Sequence, residues 1–445
     1  MKHILLLSFI FLASIVFSQT DSTATKSDTT HTENVKTGFS FGALPVVAYD
    51  TDVGFKYGAL ANIYYFGDGS TYPKYLHSLY LEWSRTTKGS GINQIIYDSE
   101  HLIPKTRITL EASYFTEKAL GFYGFNGYES NFDPNFSDDQ SEDYISRMYY
   151  KHERNQLRLK ADFQRYIWKK KLRALFGYAH YNSNINTVDI ANLNEGKDES
   201  EMLPDSTKLL YDHYVDWGII KENEKNGGQT NMFKMGLVYD TRDQEGNPMK
   251  GIWSEALILY APSFAGESSY MKLALTHRQY FTLKKEVLNF AYRVSYQPKI
   301  AGEIPFYMLP FVYDSKQNRD GLGGAKTLRG ILRNRIVGND LLFANMELRW
   351  KFYRGVIKNQ NIYLAINTFF DAGMVTKAYD IDKTLIPESE LDNNFTNQEE
   401  EIHGSYGAGL NIVLNHNFII SVNYGRALNP QDGKDGLYIG LNFLF

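Results

Sequence analysis

Along most of the chain apolar and polar residues alternate with a period of two, which puts successive side chains on opposite faces of a strand. Between positions 344 and 352 the polar set is Asn345, Glu347, Arg349 and Lys351, and the apolar set is Ala344, Met346, Leu348, Trp350 and Phe352. A helix would mix the two. The same separation holds for Arg107, Thr109, Glu111 and Ser113 against Ile108, Leu110, Ala112 and Tyr114, and for Ser78, Tyr80, Glu82 and Ser84 against Leu79, Leu81 and Trp83. From Phe39 onward the pattern predicts about sixteen strands of about ten or more residues, the length of a tilted bilayer crossing. They start near residues 39, 53, 75, 91, 105, 153, 172, 229, 251, 269, 286, 337, 359, 403, 417 and 436.

A soluble sandwich alternates too, so the connections decide the class. After even-numbered segments they are short: Pro104, 168–171, 284–285 and 415–417. Most of the long polar stretches follow odd-numbered segments: 117–152, 189–229, 300–335 and 374–402. Short turns at one rim and long loops at the other are the asymmetry of an outer-membrane barrel. The expected fold class is therefore all-β, a transmembrane antiparallel β-barrel of about sixteen strands, integral to the outer membrane of a Gram-negative bacterium with both termini in the periplasm.

The termini supply the rest of the organisation. Lys2 and His3 precede an apolar run over 4–17, with Val16 and Ser18 before a cleavage point, so residues 1–18 read as a signal peptide. Beyond it no stretch reaches the ~18 consecutive apolar residues of a membrane helix. Residues 19–37, rich in Thr, Ser and Asp, predict a disordered periplasmic tether, and 38–445 is the barrel domain. Leu437, Ile439, Leu441, Phe443 and Phe445 predict one apolar face of a last strand ending on an aromatic, which resembles the assembly signal of bacterial outer-membrane barrels.

Composition removes other classes. The 33 Tyr and 28 Phe among 445 residues, with 35 Gly and 12 Pro, favour strands and turns. A net charge of −4 from 47 basic and 51 acidic residues does not suit a nucleic-acid binder. With no cysteine there is no disulfide, thiolate zinc site or cysteine nucleophile. No nucleophile elbow or His-Glu-x-x-His pattern occurs, and the ten histidines, among them His77, His152, His180 and His403, are scattered without ligand spacing. We therefore expect no enzyme activity, no catalytic residue, no metal and no cofactor. The acidic runs 137–143 and 198–201 lack the spacing of a calcium loop and read as solvated surface.

Three segments resemble the BamA/TamA-like bacterial surface antigen superfamily. The loop from Gly321 through Gly323, Gly324, Arg329 and Gly330 to Ile331 is similar to the family's Arg-Gly loop and falls between the eleventh and twelfth predicted strands. Ile331 stands where the family usually has an aromatic residue. The resemblance implies that Arg329 is held in the lumen by carboxylates of the next two strands, which match Glu347 and Asp371, the latter followed by Gly373. Alternation independently points both inward, and a guanidinium fork suits two carboxylates. The third segment, Asp240, Arg242, Asp243, Pro248 and Gly251, is similar to the family's turn between strands eight and nine. The resemblance covers most of 39–445.

The family's assembly and secretion barrels carry periplasmic POTRA domains, and 19–37 is shorter than the ~50 residues of a folded domain, so a POTRA-less member is expected. Gly42 and Pro45 in the first strand predict a weak seam against the last, where Gly440, Phe443 and Phe445 lie, because proline cannot donate to a ladder. What the resemblance implies is a barrel that assists insertion or translocation of outer-membrane proteins or lipids, alone or as an accessory subunit; the alternative is a passive narrow pore or uptake channel for small solutes. Expected partners are outer-membrane lipids, the barrel assembly machinery or periplasmic lipoproteins, or a second copy of the chain.

Overall fold

A computed structural model describes residues 34–445 apart from 51, 52, 206, 317, 358 and 397. The expected signal peptide, 1–18, and most of the expected tether, 19–37, lie outside the described residues. The alternating segments form β1 (Phe39–Asp50), β2 (Gly54–Tyr65), β3 (His77–Thr86), β4 (Gly91–Ile103), β5 (Thr106–Gly121), β6 (Lys151–Trp168), β7 (Leu172–Asn186) and β8 (Gly227–Asp240). They continue as β9 (Gly251–Ala261), β10 (Tyr270–Lys284), β11 (Leu288–Gln297) and β12 (Lys299–Gly302). After a small hairpin of β13 (Phe311–Tyr313) and β14 (Asn318–Asp320) come β15 (Asp340–Ile357), β16 (Gln360–Lys377), β17 (His403–Leu414), β18 (Phe418–Ala427) and β19 (Asp435–Leu441).

Seventeen of these segments join in one antiparallel sheet. β11 and β12 both pair with β10 and are two halves of one crossing, interrupted at Pro298, which has no amide hydrogen for the ladder. The wall therefore crosses sixteen times, and no crossing starts more than three residues from its expected position. No helix among the described residues is long and apolar enough to cross a membrane.

The faces of the wall are those of a membrane barrel. Asn345, Glu347 and Arg349 are buried in the lumen, while Met346, Leu348 and Trp350 are exposed on the outside. A water-soluble sandwich would reverse this arrangement, because its apolar face would be the buried one. Turns at one rim are short, apart from the 66–76 and 241–250 connections, and the four long connections all emerge at the other.

Those long connections pack into a cap. Phe122, Phe125, Tyr214, Trp217 and Phe395, drawn from three of them, are all buried in one cluster, with Phe122 edge-on to Tyr214 at 5.2 Å and Tyr214 stacked on Phe395 at 5.9 Å. Arg335 is buried beneath and donates to the carbonyls of Gly127, Ser130 and Gln431 at 2.7 to 2.9 Å. Guanidinium donors thus satisfy loop carbonyls that burial would otherwise leave unpaired.

Candidate functional site: the lumen loop and the seam

The connection between β12 and β15 folds into the lumen instead of staying at the rim. Its far reach is Lys316, which donates to Glu245 in the β8–β9 turn at 3.2 Å, so the loop traverses the barrel from the long-loop end to the short-turn end. It also bridges the walls: Lys160 in β6 donates to the Lys316 carbonyl at 2.6 Å, and Asn345 in β15 to the Thr327 carbonyl at 2.7 Å.

Within the loop a tight hairpin presents Arg329. Gly323 and Gly324 take positive φ. The Thr327 hydroxyl contacts Gly321 and Gly323 at 2.9 to 3.0 Å, and the Gly324 amide donates to the Ile331 carbonyl at 2.8 Å. Ile331 is buried with Leu322, Leu328 and Phe343, an apolar pocket that accepts its branched side chain at the family's aromatic position. Leu328 is received by Gly373, where an added Cβ would lie 2.8 Å from the leucine Cδ1.

Arg329 is held on every side. Its Nε and Nη2 fork onto Asp371 at 2.9 and 3.0 Å, its backbone amide donates to the same carboxylate at 3.0 Å, and Nη1 donates to Glu347 at 2.6 Å. The guanidinium lies 3.5 Å from the Phe369 ring centroid. Bidentate geometry with complete burial makes these strong charge-assisted bonds. Gly330 completes the contact: at φ 93° it favours glycine, its amide donates to Tyr438 of β19 at 2.9 Å, and an added Cβ would meet the Arg426 amide nitrogen at 2.6 Å. The loop is thereby pressed against β18 and β19.

The β8–β9 turn is built from the expected residues. Arg242 folds back on Asp240 at 3.0 and 3.1 Å and covers Trp253 at 4.2 Å, Asp243 accepts from the Met249 amide at 3.0 Å, and the Pro248 carbonyl accepts from Asn289 at 3.3 Å. Gly251 has φ 107° and lies too close to Thr241 for a side chain. Glu245 then reaches back to Arg107 of β5 at 2.7 and 3.0 Å, making this turn the floor against which the lumen loop ends.

At the seam the edges overlap. Among the described residues no ladder joins β1 to β19: β1 pairs with β2 and β19 with β18. Leu44 and Val46 of β1 and Leu60 of β2, on the lumen face, instead pack against Leu414, Phe418 and Leu441 from the outer face of β17–β19. The closing strands are tucked inside the opening ones, and Gly42 permits it, since an added Cβ would lie 2.4 to 2.7 Å from the Phe418 ring. Pro45 pairs with Ala59 on the lipid-facing side of β1. Beneath the seam the upstream segment straps across, with Asn34 exchanging hydrogen bonds with Asn361 of β16 at 2.8 and 2.9 Å.

The chain end corrects the expected last strand. β19 stops at Leu441, Asn442 adopts φ 68°, and Phe443 and Phe445 turn into the lumen instead of extending the lipid-facing row of Leu437 and Ile439. Two buried arginines face these rings, Arg349 at 4.4 Å from Phe443 and 5.1 Å from Phe445, and Arg293 at 5.3 Å from Phe445, contacts that an extended strand on the lipid-facing row would not make. Gly440, by contrast, has open space around it.

His403, one of the scattered histidines, is fully buried at the base of the cap. It lies against Asp432 at 2.5 Å, contacts Glu400 at 3.3 Å and stacks on Tyr128 at 3.8 Å. Its partners lie 29, 3 and 275 positions away, so no local spacing could have revealed the group. Among the described residues no group of side chains could hold a metal ion.

The model of the Omp85 superfamily domain matches residues 103–445. The chain belongs to the Omp85 superfamily. Barrels of this family are outer-membrane proteins of Gram-negative bacteria. Among solved structures, CdiB from Escherichia coli aligns with a TM-score of 0.53 at 10% identity, covering 91% of this chain and 62% of that one. BamA from Haemophilus ducreyi lacking POTRA domains 1-3 aligns with a TM-score of 0.49 at 14% identity, covering 92% of this chain and 70% of that one. This chain therefore spans under two thirds of the CdiB length. No curated protein sequence matches it. At these identities the likeness is one of fold.

The filled lumen bears on the pore alternative. With the loop reaching from rim to rim and aromatic residues capping the long-loop end, the purified protein in a planar bilayer should show no large, steady conductance. A stable open level of porin size would contradict the packing described here.

Proposed function

We propose that this Omp85 barrel is a non-enzymatic outer-membrane factor that assists insertion or translocation of outer-membrane proteins or lipids through its lateral seam, alone or with the barrel assembly machinery or periplasmic lipoproteins. The observation that carries the reading is the seam itself, two strand edges that overlap through apolar side chains without a hydrogen-bonded ladder. An unpaired edge is a template for another strand, and separating apolar contacts inside a bilayer forfeits packing but little hydrophobic free energy, since lipid tails are as apolar as the side chains they replace. The lumen loop, pressed on β18 and β19 through Gly330, acts as the rigid backing against which that edge moves. In this reading the short turns and both termini face the periplasm, and the capped rim faces outward.

A disulfide across the overlap tests it. An added Cβ at Gly42 lies 2.6 Å from Phe418 Cγ. The two Cβ atoms are therefore within about 4 Å, near the ~3.5–4.5 Å of a disulfide. The double variant Gly42→Cys, Phe418→Cys should lose its ability to promote insertion of a small eight-stranded barrel into liposomes when oxidised and regain it on reduction, while either single variant is insensitive. Unchanged insertion with the bond formed would sink the seam as the working element.

A further inference from the structure

The lipid-facing wall carries a groove of about 530 Å³ across β2–β6. Small side chains make it: Ala59, Ala61 and Ala112 leave a depression, while Trp83, Ile95 and Tyr114 stand exposed around it. The ladders bring these positions into register, Ala59 opposite Trp83, Trp83 opposite Asn93, and Asn93 opposite Tyr114. Asn93 turns its amide onto the Tyr114 carbonyl at 3.3 Å. Five strands at a spacing of ~4.8 Å give the groove a reach of about 19 Å. The chains of one leaflet span ~15 Å, half of the ~30 Å hydrocarbon core, so a whole acyl chain can lie within it.

One step toward the long-loop rim the outer face turns polar. Arg85, Gly91 and Thr116 are paired there across β3, β4 and β5. The arginine lies across Gly91, where an added Cβ would collide with its Nη1, and Nη1 donates to the Thr116 hydroxyl at 3.1 Å. Among the described residues the Arg85 side chain has no ion pair and no other hydrogen bond. The nearby lysines differ: Lys88 donates to the Asn192 carbonyl at 3.0 Å and Lys118 to Glu153 at 2.8 Å. A charge on a lipid-facing row is tolerated near the headgroups. A guanidinium with unengaged N–H groups at that level suits a phosphate, which it can take in a two-point contact.

We propose that the groove and Arg85 form one binding site for an anionic acyl lipid with an uncapped phosphate, its chain lying across β2–β6 and its phosphate held by the Arg85 guanidinium beside the Thr116 hydroxyl. Each part supplies what the other lacks. The groove alone takes any hydrocarbon chain, and the arginine alone takes any phosphate. A second copy of this chain is a poor occupant, because a two-fold interface sets a patch against itself and groove against groove leaves both volumes empty. The site uses the outer wall alone and does not rest on the insertion reading.

Trp83 reports the occupant, since bromine atoms on an acyl chain quench an indole they touch. The full-length protein is reconstituted into phosphatidylcholine vesicles with rising fractions of dibrominated phosphatidate, or of dibrominated phosphatidylcholine, whose phosphate is capped by choline. The signal of Trp83 is obtained by subtracting that of Trp83→Phe. Half-maximal quenching should come at a roughly fivefold lower mole fraction of phosphatidate than of phosphatidylcholine, as a charge-assisted contact requires. Arg85→Gln should remove the preference, and Ala112→Leu, which fills the floor of the groove, should weaken phosphatidate binding as far. Should these variants fail to assemble, the wild-type protein still decides: unbrominated long-chain phosphatidate should restore the fluorescence, and dihexanoyl phosphatidate, with the same phosphate on short chains, should not. Equal quenching by the two lipids, a preference that survives Arg85→Gln, or equal recovery with the short-chain lipid would overturn the proposal.

Discussion

Replacing Arg329 with alanine should nearly abolish the folded barrel. The side chain is buried and makes three hydrogen bonds to Asp371 and Glu347. Its loss falls unevenly on the two acids: Glu347 keeps Arg349, whose Nε donates to it at 2.7 Å, whereas Asp371 retains only the backbone amide of residue 329. Breaking one side of a buried ion pair costs ~3–5 kcal/mol because the remaining charge is stranded, a sizeable share of the ~5–15 kcal/mol that holds a typical domain together. The loop would also lose its grip on the Phe369 ring. Outer-membrane abundance should fall steeply, and the heat-modifiable gel shift should occur at lower temperature. Arg329→Lys should sit between, since an ammonium keeps the charge but cannot fork onto a carboxylate. Wild-type abundance and gel behaviour in Arg329→Ala would rule the clamp out as a structural element.

The second large effect is expected at Gly425 in β18. An added Cβ there would lie 2.7 to 2.9 Å from the Arg329 carbonyl carbon, its oxygen and the Gly330 amide nitrogen, all of them backbone. Nothing flexible can yield, so Gly425→Val should drive the loop off the strand. Overpacking of this kind costs ~1–3 kcal/mol, and displacement of Arg329 from Asp371 adds to it. Gly440→Val is the control, because its added Cβ meets nothing within 4 Å. A large drop in unfolding temperature for Gly425→Val beside a small one for Gly440→Val is the expected pattern. Equal shifts at the two positions would mean that the loop does not rest on β18.

Much of this was legible because it depends on local chemistry. Alternation over eight or nine residues gives each strand its lumen and lipid faces, and turn length gives each rim, so the wall and the inward direction of Glu347 and Asp371 needed no tertiary information. The Arg329 clamp and the Asp240 to Gly251 turn were reachable through the resemblance of their segments to family motifs, since an arginine in a polar loop and a run of turn-forming residues do not by themselves mark either. The His403 group was not reachable, since Tyr128, Glu400 and Asp432 come from separate loops. The reach of Lys316 to Glu245 was equally hidden, as was the filling of Ile331's pocket.

The seam and the chain end mark the boundary most sharply. Alternation runs without a break through Leu441, Phe443 and Phe445, because a period of two reports which side chains share a face only while the backbone stays extended. Asn442 turns that backbone, and the sequence carries no mark of it beyond an asparagine that tolerates the left-handed region. What the amino-acid order determined alone was the sixteen-crossing antiparallel wall, its two unlike rims and the acids that face inward. What only the tertiary structure decided was how the sheet closes: the overlap of β17–β19 behind β1–β2, and the burial of Phe445 between Arg293 and Arg349. Closure brings together residues hundreds of positions apart, and their fit depends on the accumulated tilt and curvature of every strand between them, which no local pattern encodes.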